Sequence, residues 1–258
     1  MEYDTLIVTE ADGIGTITLN RPEVMNALNK QMRAEITHAV NDLTARVRVL
    51  VLTGAGRAFC SGQDLGDGGN AAQIDLERTL REEYEPMLRA IYDAPVPVIA
   101  AVNGSAAGAG ANLALAADVI IAAQSASFIQ AFARIGLIPD AGGTYFLPRQ
   151  IGFARAMGAM LFSDKISATQ AAAWGMIWEA VPDEGFAAHW HERAHSLAHG
   201  PTIAYRNIRR ALRASLSNTL DAQLALEARL QAEAGKTRDF QEGVLAFLEK
   251  RPASFEGR

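Results

Sequence analysis

The chain has 258 residues, of which 49% are hydrophobic and 21% charged, with a net charge of −5. That suffices for one large core, and the acidic balance argues against nucleic acid as a partner. The single cysteine, Cys60, excludes an intrachain disulfide, and no apolar run approaches the about 18 residues of a membrane span. Acids stand near the N-terminus where a signal peptide carries bases, so the expectation is a cytoplasmic enzyme.

In chain order, β-type runs open at Leu6-Ile7-Val8 and Thr16-Ile17-Thr18-Leu19. Asn29 then stands where the N-cap belongs on a helix whose buried face carries Met32, Ile36, Val40 and Leu43. A third run, 49–52, leads into Gly54-Ala55-Gly56-Arg57-Ala58-Phe59-Cys60-Ser61-Gly62-Gln63-Asp64-Leu65. By itself this segment reads as a surface turn anchored by Phe59. It lacks the Gly-Lys-Ser/Thr of a phosphate loop and the Gly-x-Gly-x-x-Gly spacing of a dinucleotide site. A helix is expected from about Ile74 to Tyr92, followed by a strand over 98–102.

That strand ends at Asn103-Gly104, and a stretch of almost only tiny residues runs on to Asp118 and opens a helix. Side chains this small let a ligand press against the backbone, and the first helical N–H groups point at it. Such a site suits an oxygen that becomes negative during a reaction; the competing reading is close packing of a helix on a sheet. After a strand over 119–121 comes Gly136-Leu137-Ile138-Pro139-Asp140-Ala141-Gly142-Gly143-Thr144. Asp140 is there as a turn former or, with Phe128, Ile129, Phe132 and Ile135 upstream, as a carboxylate in a dry pocket with a raised pKa.

Strands alternating with helices indicate α/β architecture with covered sheets. Beyond residue 150 the β signal fades. Ser167-Ala168-Thr169-Gln170 reads as a capping box, with Gly175 as the stop of a short helix. Further helices fit 185–199, 202–214, 219–234 and 238–250, with Gly200-Pro201 as a break. They are expected to bury one face on the core and another against neighbouring subunits. No repeat period is evident.

Taken in order, the segments at 54–65, 98–118 and 136–144 resemble the crotonase superfamily, also called the enoyl-CoA hydratase/isomerase family. Asn20-Arg21-Pro22 with Asn26-Ala27-Leu28, and Glu242-Gly243-Val244 through Ala246-Phe247-Leu248-Glu249-Lys250-Arg251, extend the resemblance over essentially the whole chain. It implies a spiral of ββα turns over residues 1–200 and a helical trimerisation region over 201–258, assembled as a homotrimer or dimer of trimers. It implies an acyl-CoA thioester as substrate, with CoA part of the substrate and no separate cofactor or metal. The thioester oxygen would be held by the backbone N–H groups of Gln63 and of Ala109, the latter between Gly108 and Gly110. The CoA arm would follow Ala27 and the run Ser61, Gly62, Asp64 and Leu65. Lys250 or Arg251 would reach a CoA phosphate, in the same or an adjacent subunit.

The chain departs from the hydratases of this superfamily at both water-positioning glutamates: Asn112 and Phe132 stand in their places. Asp140 instead matches the position where some isomerases of the superfamily keep a single acidic group. One carboxylate suits an isomerase, which moves a proton from one carbon to another while the oxyanion site carries the charge. The stretches Leu137-Ile138-Pro139-Asp140, Trp174-Gly175-Met176-Ile177-Trp178 and Lys250-Arg251-Pro252 resemble the isomerases of phenylacetate catabolism, which convert ring-1,2-epoxyphenylacetyl-CoA to oxepin-CoA. On that reading Phe128, Ile129 and Phe132 form an aromatic-tolerant pocket. The alternatives are a Δ3,Δ2-enoyl-CoA isomerase or enoyl-CoA hydratase, and a non-catalytic acyl-CoA-binding subunit.

Other features compete less well. His191-Glu192-Arg193-Ala194-His195 spells a zinc-peptidase motif, continued on the same face by His199, but it lies in a segment that the resemblance assigns to packing. Cys60 is read as a small packing residue, Asp118 as structural, and Asp64 as holding its loop. Arg206, Arg209, Arg210 and Arg213 form a basic helix, read as a solvated face or subunit contact with phosphate binding as the alternative.

Overall fold

A computed structural model describes residues 2–66 and 75–258. Strands β1 (Leu6–Ala11) and β2 (Ile14–Leu19) form a hairpin. Its turn is Asp12-Gly13, both at positive φ (51° and 74°), as a two-residue hairpin turn demands. Helix α1 (Lys30–Leu43) starts as expected: the Asn29 side chain accepts the Met32 N–H at 2.8 Å, and Met32, Ile36, Val40 and Leu43 face the core.

Next come β3 (Val49–Gly54) and β4 (Ala58–Cys60). Among the described residues, the helix expected over 74–92 runs from Leu76 to Tyr92; Ile74 itself lies outside them. It comprises α2 (Leu76–Thr79), a π turn at Leu80–Tyr84 and α3 (Glu85–Tyr92). Strands β5 (Val98–Val102) and β6 (Ser105–Ala107) precede α4 (Ala109–Leu115), and β7 (Val119–Ala123) and β8 (Ser127–Ile129) precede α5 (Gly143–Ile151) and α6 (Phe153–Phe162). The chain continues through β9 (Ile166–Ser167), α7 (Ala168–Ala173), β10 (Glu179–Val181) and α8 (Phe186–Ala198). Helices α9 (Thr202–Ser215), α10 (Leu220–Ala234) and α11 (Arg238–Glu249) close it.

Two sheets result. The larger has the order β1-β2-β3-β5-β7-β10 and is parallel except at the β1–β2 hairpin; the smaller has the order β4-β6-β8-β9. Each core strand β3, β5 and β7 is followed by a three-residue strand in the smaller sheet and then by helix. This is the ββα spiral of the crotonase fold. Every residue of β5 is buried, as expected where both faces of a parallel sheet are covered. The repeat has no fixed period in sequence because its core strands begin at residues 49, 98 and 119, with insertions of unequal length between them.

The five strand runs read from sequence all belong to the larger sheet. The short strands of the smaller sheet, and β10, carry too few residues for an alternating pattern. Helices α5 and α6 were not anticipated either, since Gly142, Pro148 and Gly152 break their sequence pattern. Helices α9 and α11 expose Ile208, Leu212, Phe247 and Leu248. None of the described helices is long and apolar enough to cross a membrane.

Candidate active site

Gln63 sits in a turn clamped to the segment before α1. The Leu28 N–H donates to the Gly62 carbonyl (2.7 Å) and the Asp64 N–H to the Leu28 carbonyl (3.2 Å). Because its two neighbours take up these bonds, the Gln63 N–H is directed away from the pairing. Arg21 reinforces the turn, donating to the Ala27 carbonyl (2.7 Å) and pairing with Asp64 (2.8 Å), while Ser61 bonds to the carbonyls of Met25 and Val24. Ala27, Ser61, Gly62, Asp64 and the exposed Leu65 thus gather around one surface turn. Asp64 holds its loop through Arg21 and the Gly66 N–H.

The second turn lies directly against the first. A Cβ on Gly62 (φ 97°) would fall 2.8 Å from the Ala107 carbonyl oxygen and 3.4 Å from the Ala109 nitrogen, so only glycine permits the approach. Gly108 (φ 53°) precedes α4, and the Phe132 ring lies under its α-carbon. Among the described residues neither the Gln63 N–H nor the Ala109 N–H donates a hydrogen bond. Two adjacent unpaired amides can receive one oxygen, most strongly when it is negative.

Two expected ligand contacts are corrected. Gly110 is buried, and any Cβ there would strike the Cys60 carbonyl and thiol, so its smallness serves packing. Asn112 is fully enclosed: its Oδ1 accepts from Gln130 (2.8 Å) and its Nδ2 donates to the Asp140 carbonyl (2.8 Å), and with no exposed surface it offers no face to a ligand. Asn112 therefore fastens the Asp140 turn to α4. Cys60 is a packing residue, with burial pushing its thiol up to about 12.

The Asp140 turn closes with the Gly143 N–H donating to the Asp140 carbonyl (2.8 Å). It passes through left-handed backbone at Ala141 (φ 47°) and Gly142 (φ 80°), which costs about 1 kcal/mol at the alanine. The Asp140 carboxylate is half-buried, its Oδ1 is inaccessible and has no partner among the described residues, and burial raises its pKa to about 6. The pocket around it differs from expectation. Phe128 is wholly in the core and Ile135 is exposed. The walls come instead from Leu80, Tyr84, Leu88 and Tyr92 on one helix and Tyr145 and Phe146 on α5, around a cleft of about 520 Å³. Tyr92, Tyr145 and Phe146 pack ring against ring at 5.4–6.5 Å.

Sequence reasoning missed these aromatic residues and also Arg33. Buried on α1, Arg33 binds Glu83 (2.6 Å), the Leu28 carbonyl (2.5 Å) and Gln63 Oε1 (3.2 Å). The available signal was a charged residue beside Met32, within the buried face of an amphipathic helix.

Lys250 ends α11 in left-handed conformation (φ 54°), exposed, and among the described residues no hydrogen bond or ion pair ties it to either turn. Arg251 is engaged by Glu242 (2.6 Å) and Glu249 (2.6 Å). The arginines of α9 are used internally. Arg209 and Arg213 pair with Asp118, and Arg206 and Arg210 pair with Glu233. His195 and His199 stack at 4.0 Å, and no group of three metal-binding side chains occurs among the described residues.

A sequence model of the enoyl-CoA hydratase/isomerase family matches residues 9–258, and the chain belongs to that family. It is an enzyme of CoA thioesters, in a family that holds both hydratases and isomerases. The Rhodobacter capsulatus protein named "Probable enoyl-CoA hydratase" is 63% identical over 258 residues, covering all of both chains. The 1,2-epoxyphenylacetyl-CoA isomerase of Escherichia coli K12 is 47% identical over 251 residues, covering 95% of this chain and 96% of its own. A crystal structure of enoyl-CoA hydratase from Bacillus anthracis superimposes with a TM-score of 0.91 at 33% identity, covering 99% of this chain and 100% of the other.

Proposed function

We propose that the protein is an acyl-CoA isomerase without a separate cofactor, converting ring-1,2-epoxyphenylacetyl-CoA to oxepin-CoA. The observation that carries this reading is Asp140. Among the described residues it is the one titratable group of the cleft with an unpartnered buried oxygen and a pKa raised into the range of a general base. The thioester oxygen lies between the N–H groups of Gln63 and Ala109, which acidify the adjacent methylene. Asp140 removes a methylene proton, charge passes to the thioester oxygen, the epoxide ring opens into the seven-membered ring, and a proton returns to a ring carbon. Mass is conserved. The aromatic walls of Tyr92, Tyr145 and Phe146 suit a ring-bearing acyl group, and the name of the 47% identical relative supports it.

The CoA arm follows Ala27 and Ser61–Leu65, with Lys250 toward a phosphate of its own or a neighbouring subunit. The exposed apolar faces of α9 and α11 support assembly as a homotrimer or a dimer of trimers.

The name of the 63% identical relative favours a second reading, hydration of an enoyl-CoA. Against it, Asn112 is enclosed and Phe132 carries no base, so the usual pair of carboxylates is missing. The test is incubation with enzymatically generated ring-1,2-epoxyphenylacetyl-CoA, with 3-enoyl-CoA and crotonyl-CoA in parallel, followed by mass and ultraviolet spectra. An isomeric product of unchanged mass, lost in Asp140→Asn, is the expected result. Addition of water to crotonyl-CoA with no action on the epoxide establishes the hydratase. Binding without turnover of any of the three establishes the non-catalytic subunit.

A further inference from the structure

Among the described residues the Gln63 N–H donates no hydrogen bond, while its side-chain oxygen is held by two donors. The Tyr84 hydroxyl donates a hydrogen bond to Gln63 Oε1, and Arg33 Nη1 donates to the same oxygen at 3.2 Å. Arg33 is itself immobilised. Its guanidinium grips Glu83 through Nε (3.0 Å) and Nη2 (2.6 Å), bonds to the Leu28 carbonyl (2.5 Å), and lies 4.9 Å over the Tyr84 ring. Leu28 is the residue whose backbone clamps the Gln63 turn. Tyr84 and Glu83 end the π turn, a rare widening of a helix that often marks functional positions. Tyr84 is 3% exposed and lines the same cleft as Asp140. One buried network therefore joins the helix that walls the acyl cleft to the turn that presents the Gln63 amide.

We propose that Tyr84 is a positioning residue. Through Gln63 Oε1 it latches the cleft-wall helix to the Gln63 turn, so that an acyl group seated against Tyr84 brings its thioester oxygen into line with the Gln63 and Ala109 amides. The latch rests on the isomerase reading, because it aligns the donors that this reaction uses. It works through orientation and leaves both N–H donors in place. Its loss lowers turnover about tenfold, less than the about 100-fold or more that follows removal of an oxyanion donor outright.

The test compares Tyr84→Phe, Gln63→Met and the double variant. Tyr84→Phe keeps the ring beneath Arg33, and Gln63→Met keeps the backbone N–H while deleting the acceptor. Phenylacetyl-CoA labelled with ¹³C at the thioester carbonyl, which lacks the epoxide, reports hydrogen bonding at that oxygen by infrared difference spectroscopy. The expected result has four parts. The carbonyl stretch is lowered in the unsubstituted protein. Part of that shift is lost in each variant. The kcat on the epoxide falls about tenfold with KM little changed. The double variant is no worse than either single one. A shifted carbonyl and full kcat in Tyr84→Phe, or multiplicative losses in the double variant, overturn the latch alone. An unshifted carbonyl in the unsubstituted protein overturns the latch together with the thioester-holding role of the two amides.

Discussion

Asp118 and Asp140 both follow stretches of small or apolar chain, and the fold treats them oppositely. At Asp118 the carboxylate accepts the Val98 N–H (2.8 Å) and pairs with Arg209 (2.6 Å) and Arg213 (2.7 Å), welding α9 to the end of α4 and the start of β5. At Asp140, among the described residues, no cation pairs with the carboxylate and its Oδ1 has no partner. Arg213 lies over the Tyr92 ring (3.8 Å), the same ring that walls the Asp140 cleft, so the two regions are neighbours. Partners, more than burial itself, separate a carboxylate that ties elements together from one whose pKa is raised. A paired charge is spent on stability, whereas an unpaired one keeps its affinity for a proton.

The sharpest way to break this comparison is Asp140→Asn. Turnover of the epoxide is expected to fall about 10²–10⁴-fold in steady-state assays, with the fold retained. Asp118→Asn should do the reverse. It strands Arg209, whose side chain is 8% exposed, and costs about 3 kcal/mol in denaturant unfolding, with kcat of the folded enzyme little changed.

The two sites should also differ with pH. Burial raises the Asp140 pKa to about 6, from about 3.8 in the unfolded chain, so the folded state binds more protons between those values. Stability therefore falls as pH rises through about 4 to 6. Above that window the charged carboxylate costs the fold up to about 2 kcal/mol after allowance for its partial exposure. The melting temperature of Asp140→Asn should match the parent near pH 4 and exceed it at pH 8. Over the same range kcat/KM of the parent should drop tenfold per unit below about pH 6. The smallest effect is expected at Asn112→Ala, which frees the Asp140 carbonyl from α4. A loss of about 1 kcal/mol in unfolding, with a lower kcat, would sharpen the view that Asn112 only holds the turn.

Helices α1, α7, α10 and α11 carry their own start signals: the Asn29, Ser167, Thr219 and Thr237 caps all accept the N–H three residues on. The smaller sheet was not legible. Ala58–Cys60, Ser105–Ala107 and Ser127–Ile129 become strands only because the spiral lays them side by side. At the candidate site, Gly62, Ala109 and Asp140 could be read as residue types suited to a backbone oxygen site and an acid. Tyr84, Arg33, Tyr145 and Phe146 could not, because an aromatic or arginine on an amphipathic helix gives no sign of which cleft it faces.

By itself the sequence determined the boundaries of α1 and of α8 to α11, the core strands of the larger sheet, the glycine turns, and the absence of glutamate at positions 112 and 132. These depend on local dihedral preference, hydrophobic period and residue identity. Only the tertiary structure decided that, among the described residues, Asp140 Oδ1 is left without a partner, that Asn112 is enclosed, and that Gly62 brings the Gln63 turn against Ala109 with neither N–H donating a hydrogen bond. Those outcomes depend on which groups from distant parts of the chain arrive to satisfy or desolvate a polar atom, and no local pattern encodes that.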